Sequence, residues 1–142
     1  DSTGDWSSDV CSSIYPDSDF PAEANRYVLY VHYACPWAHR IVIVRVLKGL
    51  EDIIDVVELD KADEIGWAFS GTTGPDKDPR YGFTHLRDLY LKAFPDWDGR
   101  SSVPVLWDTK KGWRRPPPCV LVLTMLTVRC RDYSQQQRQR DP

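Results

Sequence analysis

The chain has 142 residues, 42% of them hydrophobic, and a formal net charge of −3. This length suits one domain with a hydrophobic core and is too short for two full domains. The negative charge argues against a nucleic-acid partner, and no apolar run of about 18 residues predicts a membrane-spanning helix. The start of the chain is acidic and polar, unlike a signal peptide, so we expect a cytoplasmic location. It also lacks an initiator methionine, which suggests a fragment.

The four cysteines share no short spacing, and no histidine stands at a zinc-ligand interval from any of them. We therefore expect no metal site. Without a secretory signal the default compartment is reducing, so all four thiols are expected to be free. The four are Cys11, Cys35, Cys119 and Cys130.

Residues 26–59 predict a strand–helix–strand unit. Residues 26–33 are β-branched and aromatic on both alternating faces, which is typical of a strand that is covered on both sides. Pro36 begins an apolar stretch over 36–50 that predicts a buried helix, with Gly49 as its stop. Residues 53–59 predict a second strand. Such a unit forms two parallel strands joined by a crossover helix, so the fold class is α/β.

The rest of the chain to residue 112 predicts a long loop, a second helix and a short strand. Residues 60–83 are rich in glycine, proline and charge and are interpreted as one loop, of a length that is usually functional. Residues 84–94 place apolar side chains on one face and predict a helix with Thr84 as candidate cap. A turn at 95–102 leads to a strand at 103–108 and a hairpin-turn candidate at 109–112.

Cys35 stands directly before the proline that opens the first predicted helix. As the cap, its sulfur would face the unpaired N–H groups and the positive end of the helix dipole, which favour the nucleophilic thiolate. Arg40 and His39 would add positive charge. The alternative is a buried structural cysteine. Because residue 38 is alanine, the dithiol pattern Cys-x-x-Cys is absent, and an external thiol such as glutathione would have to regenerate Cys35.

The dipeptide Val103-Pro104 opens the last predicted strand. A cis bond here would turn the Val103 backbone outward, so that its N–H and C=O could pair with an extended peptide. Only about 5–6% of X-Pro bonds in folded proteins are cis, and a proline at a strand start is also allowed without one. The pattern gains weight from the strand–helix–strand unit and the capping cysteine that precede it.

Three stretches together resemble the glutathionyl-hydroquinone reductases, the xi-class, omega-like branch of the glutathione transferases. They are "RYVLYVHYACPWAHRIVIVRVLKGLEDII", "GWAF" and "LYLKAFPDWDGRSSVPVLWD", and the resemblance spans roughly residues 20–112. It implies a thioredoxin-like N-terminal domain, a helical C-terminal domain and a homodimer. It also implies reduction of glutathionyl-hydroquinones by glutathione, with glutathione and glutathionyl-quinols as the small-molecule partners.

The resemblance also implies roles for individual residues. Cys35 matches the catalytic cysteine, and Trp67 matches a tryptophan that lines the glutathione site. Val103, before the cis-proline candidate Pro104, matches the residue whose backbone pairs with glutathione. Arg87 lies where the family places a glutathione-contacting arginine, with Arg100 as the competing candidate. No role is assigned to the three histidines, His32, His39 and His85.

The composition changes abruptly after residue 112. Residues 113–142 contain six arginines, four glutamines and no lysine, whereas every lysine and glutamate of the chain precedes them. The family's Glu-Ser pair for the γ-glutamyl end of glutathione is missing there, and so is the helical domain. We therefore expect a polar segment at 1–24, an incomplete thioredoxin-like domain at 25–112, and an aberrant tail at 113–142 that is out of frame or unspliced. A genuine divergent tail is the alternative.

Three functions remain open from the sequence. The first is reduction of glutathionyl-hydroquinones by single-cysteine thiol exchange, impaired in this chain. The second is an omega-type thioltransferase or dehydroascorbate reductase. The third is a non-catalytic fragment that binds glutathione weakly at most.

Overall fold

The computed structural model describes residues 23–112. The predicted tail at 113–142 and nearly all of the predicted N-terminal segment lie outside these described residues. Within 23–112 the chain forms five strands and two helices, arranged as a three-stranded sheet, a small two-stranded hairpin and two helices.

The central strand of the sheet, β1, spans Tyr27–Val31 and is buried at every position. Such burial explains why both of its faces are apolar. Helix α1 spans Pro36–Leu47 and leads to β2, Ile54–Glu58, which pairs parallel with β1 from Tyr27 opposite Ile54 to Val31 opposite Glu58. The predicted strand–helix–strand unit is therefore confirmed. Gly49, at a φ of 62°, adopts the left-handed conformation that commonly follows a helix.

The third strand of the sheet, β5, spans Val105–Asp108 and lies on the other side of β1. It runs antiparallel, with Tyr27 opposite Asp108 and Tyr30 opposite Val105. The amino end of β5 consequently lies beside the carboxyl end of β1. The peptide bond between Val103 and Pro104, immediately before β5, is cis.

The region 60–83 is not one continuous loop, so that prediction was wrong in part. It contains the strands β3, Lys61–Ala62, and β4, Trp67–Ala68, which pair antiparallel as a short hairpin. Strands of two residues are too short to produce an alternating pattern in the sequence. The hairpin follows directly from β2 and carries Trp67.

Helix α2 spans Leu86–Ala93, and its cap is His85 rather than the predicted Thr84. His85 and Asp88 form the capping box of α2: Asp88 Oδ2 accepts from His85 N–H at 3.3 Å, and Asp88 N–H donates to the His85 carbonyl at 3.2 Å. This arrangement satisfies two of the N–H groups that the start of a helix leaves unpaired. Thr84 instead pairs its hydroxyl with Nδ1 of His85 at 3.0 Å.

Helix α1 is buried on one side only, contrary to the prediction of a buried helix. Ala38 and Ile41 face the sheet, whereas Leu47 is 78% exposed. The sequence misleads here because α1 is apolar around most of its circumference, and among residues 23–112 nothing covers its outward side. The other large apolar side chains exposed on α1 are Trp37, Ile43 and Val46. In the part of the chain that the structure describes, no helix is long and apolar enough to cross a membrane.

Two buried polar pairs fix the sheet. Arg26, just before β1, donates from Nη2 to Asp108 Oδ2 at 2.6 Å and from Nε to Asp108 Oδ1 at 3.0 Å. Tyr30 donates its hydroxyl to Asp78 Oδ1 at 2.9 Å. Burial and the adjacent Asp78 carboxylate raise the pKa of Tyr30 well above its ordinary value. Tyr30 therefore remains a neutral donor, as a buried hydrogen-bonded hydroxyl should.

Candidate functional site

The topology brings three separate segments to one edge of the sheet. The carboxyl ends of the parallel strands β1 and β2 lie side by side, and antiparallel β5 begins at the same edge. After β1 comes the turn that leads to Cys35, after β2 the hairpin with Trp67, and before β5 the Val103-Pro104 pair. Ligands in open α/β sheets commonly bind at the carboxyl ends of the strands, so this edge is the candidate site.

Cys35 is the N-cap residue of α1, as the position of Pro36 predicts. Its backbone is extended, with φ −86° and ψ 114°, and its side chain makes no capping hydrogen bond. The sulfur instead lies 3.8 Å from the carbonyl oxygen of Val103. A thiol at this distance is at most a weak donor. Because the side chain is half-buried and only loosely held, its sulfur is available to an incoming partner.

Val103 connects this cysteine to the start of β5. Its side chain is 4% exposed and therefore packed in the core, while its carbonyl oxygen faces Cys35 Sγ. The hydroxyl of Tyr90 accepts from Ser102 N–H at 3.3 Å and donates to Ser102 C=O at 2.8 Å. Helix α2 thus holds the segment before Val103 in place.

Trp67 reaches the cysteine turn through His32. The two ring centroids are 4.5 Å apart with an interplanar angle of 39°, within the range of favourable aromatic contacts. The carbonyl of His32 accepts from Cys35 N–H at 2.9 Å, and Nδ1 of His32 accepts from Ala34 N–H at 3.1 Å. The three predicted residues Cys35, Trp67 and Val103 are therefore linked, with His32 as the connection that the sequence did not suggest.

Asp60 organises the loop that follows the hairpin. Its carboxylate accepts from the backbone N–H groups of Ser70 and Thr72, each at 2.7 Å, of Thr73 at 2.9 Å and of Gly74 at 3.3 Å. These bonds, that from Thr73 foremost, hold the pKa of Asp60 well below its ordinary value. The carboxylate of Asp60 thus holds the backbone of residues 70–74 in a turn beside β2.

A second carboxylate, Asp63, ties the tip of the hairpin to the start of α2. Its Oδ1 accepts from the N–H groups of Ile65 and Gly66, at 3.0 Å and 3.2 Å, and its Oδ2 is 3.1 Å from Nε2 of His85. The bond to His85 is the main cause that lowers the pKa of Asp63. The strand that carries Trp67 is thereby held between His32 on one side and the capping box of α2 on the other.

The two arginines considered for glutathione lie in different settings. Arg87 is half-buried in α2, and its Nη2 is 3.4 Å from the carbonyl of Trp97. Arg100 is exposed in the segment before Val103. No contact of either guanidinium to Cys35 or Trp67 is observed, so the geometry brings together three of the predicted residues and leaves the arginine open.

His32, Asp60 and Asp63 were not found from the sequence. A histidine one residue past a strand, or an aspartate in a charged loop, has no distinguishing pattern, because their partners are distant in the chain. The aspartates preceding Gly- and Thr-rich turns carried a weak signal, since Asp commonly bonds nearby backbone N–H groups. Within residues 23–112, no group of three or more His, Cys, Asp and Glu side chains could hold a metal ion.

Comparison with known proteins identifies the family of this domain. A family model described as glutathione S-transferase, N-terminal domain, matches residues 34–121. The glutathionyl-hydroquinone reductase YqjG of Escherichia coli is 50% identical over 93 residues, which are 64% of this chain and 28% of the relative. The chain thus spans less than a third of the length of that curated relative.

Solved structures show the same fold. The Xi glutathione S-transferase of Phanerochaete chrysosporium superposes with a TM-score of 0.72 at 45% identity, over 80% of this chain and 39% of that one. The glutathione-bound YqjG of Escherichia coli superposes with a TM-score of 0.73 at 38% identity, over 84% of this chain and 39% of that one. Since the family match covers most of the chain and includes Cys35 and Val103, the chain belongs to the glutathione S-transferase family and carries its thioredoxin-like N-terminal domain.

Proposed function

We propose that this chain carries the cysteine-bearing N-terminal domain of a glutathione-dependent reductase of glutathionyl-hydroquinones, with Cys35 as the nucleophile. The observation that carries the proposal is the placement of the Cys35 sulfur at the start of α1, 3.8 Å from the Val103 carbonyl. A thiol at a helix N-terminus is favoured as the reactive thiolate. The relative YqjG, named a glutathionyl-hydroquinone reductase, supports the substrate class.

The reaction proceeds by two thiol exchanges. The Cys35 thiolate attacks the glutathionyl sulfur of the substrate, and the bond between that sulfur and the ring carbon breaks. The ring carbon takes the bonding electron pair and a proton, which releases the hydroquinone, while Cys35 and glutathione form a mixed disulfide. A second glutathione attacks this disulfide, frees Cys35 and leaves as oxidised glutathione. The substrate is reduced by two electrons, and the two glutathione sulfurs are oxidised.

Glutathione is proposed to lie along the edge between Val103 and Trp67. The backbone of Val103 would pair with its cysteinyl part, Trp67 would line the site, and Arg87 would contact the peptide from α2. Glutathione bound to YqjG supports this choice of thiol. Arg87 needs a rotation away from the Trp97 carbonyl to take part, and its bond there, at 3.4 Å, is long enough to exchange.

The one-cysteine mechanism is supported by the residues around Cys35. Ala38 occupies the place where a dithiol enzyme has its second cysteine, and it is fully buried. Cys35 is the one cysteine among residues 23–112, so no resolving thiol lies within the described domain. External glutathione therefore closes the cycle. We place the full-length protein in the cytoplasm and propose that it is a homodimer.

The test of Cys35 is its replacement by serine. Cys35→Ser keeps the cap position and a similar shape but supplies no thiolate, so turnover of a glutathionyl-hydroquinone should fall to the uncatalysed rate. Glutathione binding, measured by calorimetry, should be largely retained. Cys11→Ser is the matched control and should retain the turnover rate of the unsubstituted chain. Retained turnover in Cys35→Ser would contradict the proposal.

The tail is the second part of the proposal. We propose that residues 113–142 replace a family-like continuation, so that the 142-residue chain is a poor enzyme. The tail lacks the Glu-Ser pair that the family resemblance assigns to the γ-glutamyl end of glutathione. Each charge-assisted hydrogen bond lost there is worth about 1.5–3 kcal/mol, which is about ten- to a hundredfold in affinity for glutathione. Exchanging residues 113–142 for a family-like continuation should raise turnover and reduce sedimentation of aggregates. Equal turnover by both forms would refute this part.

A further inference from the structure

His32 lies between the nucleophile and the tryptophan of the proposed glutathione site. It is the first residue after β1 and is half-buried. On one side its ring packs on Trp67, with centroids 4.5 Å apart. On the other side it takes part in the turn that ends at Cys35, through both its carbonyl and its ring nitrogen.

The hydrogen bond within the turn fixes the orientation of the His32 ring. Nδ1 of His32 accepts from Ala34 N–H at 3.1 Å, and a ring nitrogen that accepts carries no proton. The bond therefore turns the Nδ1 edge of the ring toward the backbone of the turn. A side-chain acceptor that bonds the N–H two residues later is the arrangement by which asparagine and aspartate stabilise turns. Here a histidine performs it and places Cys35 at the cap of α1.

The ring contact fixes the hairpin. Trp67 lies on β4, a strand of two residues, and backbone pairing does not fix the rotation of a side chain, which depends on the contacts of the ring itself. The opposite end of the hairpin is held by the bond between Asp63 and His85, at 3.1 Å. His32 supplies the ring contact on the side of the cysteine.

We propose that His32 is a positioning residue that sets the Cys35 turn through Nδ1 and sets Trp67 through its ring face. Its two parts are separable by mutation. Asparagine reproduces the acceptor at the position of Nδ1 but has no ring, while phenylalanine reproduces the ring but has no acceptor. A residue that merely filled space would not separate in this way. The proposal rests on the proposed function only for the readout that measures glutathione binding.

The experiment compares His32→Asn, His32→Phe and His32→Ala in the full chain. The first readout is the rate of Cys35 alkylation by iodoacetamide, assigned to Cys35 by peptide mapping, and it needs no glutathione. His32→Asn should retain the rate, while His32→Phe should change it by about two- to tenfold, the value of one hydrogen bond. The second readout is the Kd for glutathione. His32→Phe should retain it, while His32→Asn should weaken it by about two- to tenfold, the value of one aromatic contact.

His32→Ala should show both defects. The urea midpoint of every variant is measured alongside, so that loss of folding is recognised. The inference is overturned if the asparagine and phenylalanine variants change both readouts in parallel with the urea midpoint, or if neither variant changes either readout. Absence of glutathione binding in the unsubstituted chain would refute the proposed function instead, while the alkylation rates would still decide whether His32 sets the turn.

Discussion

The two ends of β1 are built in opposite ways. At the amino end, Arg26 and Asp108 are buried and joined by bonds of 2.6 Å and 3.0 Å, and Thr109 donates its hydroxyl to the Arg26 carbonyl at 2.7 Å. At the carboxyl end, the Cys35 sulfur lies 3.8 Å from the Val103 carbonyl, a distance at which a thiol donates weakly. One end of the strand satisfies its polar groups fully, and the other leaves a thiol weakly engaged.

This difference indicates a division of labour along one strand. Strong bonds at the amino end fix the register of β1 and β5, and this register sets where Val103 lies. The turn after the carboxyl end can then hold a weakly bonded thiol, because the buried pairs of the sheet do not depend on that thiol. Changes at the amino end should therefore alter stability, and changes at the carboxyl end should alter chemistry.

Arg26→Met should give the largest effect on stability. It leaves the Asp108 carboxylate buried with only backbone partners, and breaking a buried pair in this way typically costs about 3–5 kcal/mol. Urea unfolding at pH 7 measures it. The site-assigned alkylation rate of Cys35 in the folded protein should change little, and a large change in that rate with no change in stability would contradict the division.

Asp108 also gives the amino end a defined pH dependence. Burial alone would raise the pKa of Asp108, but Arg26 and the N–H groups of Lys111 and Lys110 outweigh it and hold the pKa below its ordinary value. For a carboxyl whose pKa is lowered by folding, the stabilisation is complete above the unfolded pKa of about 3.9 and is lost as pH falls below it. Arg26→Met should weaken this acid sensitivity, as read from urea midpoints between pH 5 and pH 3.

Asp60→Asn should give a smaller effect, at the edge that carries the site. Asparagine presents an N–H₂ group to N–H donors that now share a carboxylate, so the loop at 70–74 loses part of its support. Since folding lowers the pKa of Asp60, the wild type loses this support as pH falls below about 4. The difference in urea midpoint between wild type and variant should therefore be constant above about pH 5 and shrink as pH falls from 5 to 3. A difference that stayed constant down to pH 3 would show that the charge of Asp60 is not what holds the loop.

Arg80→Gln should change the free energy of unfolding least, and it tests whether burial explains the large effect of Arg26→Met. Arg80 Nη2 lies 3.1 Å from Asp55 Oδ2, but the two side chains are 35% and 59% exposed. Exposed ion pairs contribute about 0–1 kcal/mol, so the free energy of unfolding should change by less than about 0.5 kcal/mol. An effect as large as that of Arg26→Met would show that burial is not what separates the two pairs.

Much of the sheet could be predicted from sequence because its signals are local. The continuous apolar run of β1 predicts a strand that is buried on both faces, and Pro36 predicts the start of α1. The parallel pairing of β1 and β2 follows from the helix between them. The hairpin β3–β4 could not be predicted, since two-residue strands leave no pattern. The sequence predicted a buried helix because α1 is apolar around most of its circumference. Hydrophobic residues alone do not tell which side of a helix is covered by other parts of the chain.

The residues of the candidate site also differ in whether the local sequence predicts them. The position of Cys35 at a helix N-terminus could be predicted because Pro36 follows it, and the backbone position of Val103 because Pro104 follows it. His32 and Asp60 escaped notice because each acts through partners that only the fold brings near. Trp67 and Arg87 entered through the family resemblance alone, and the structure links Trp67, but not Arg87, to the cysteine.

The most direct test of the central claim is mass spectrometry of the cysteine during the reaction. The chain, with and without an exchanged tail, is incubated with a glutathionyl-hydroquinone in the absence of free glutathione. We predict release of hydroquinone and one glutathionyl group on Cys35, removed when glutathione is added. Hydroquinone release with Cys35 unmodified, or with Cys35 joined to Cys11 in an internal disulfide, would contradict the one-cysteine mechanism.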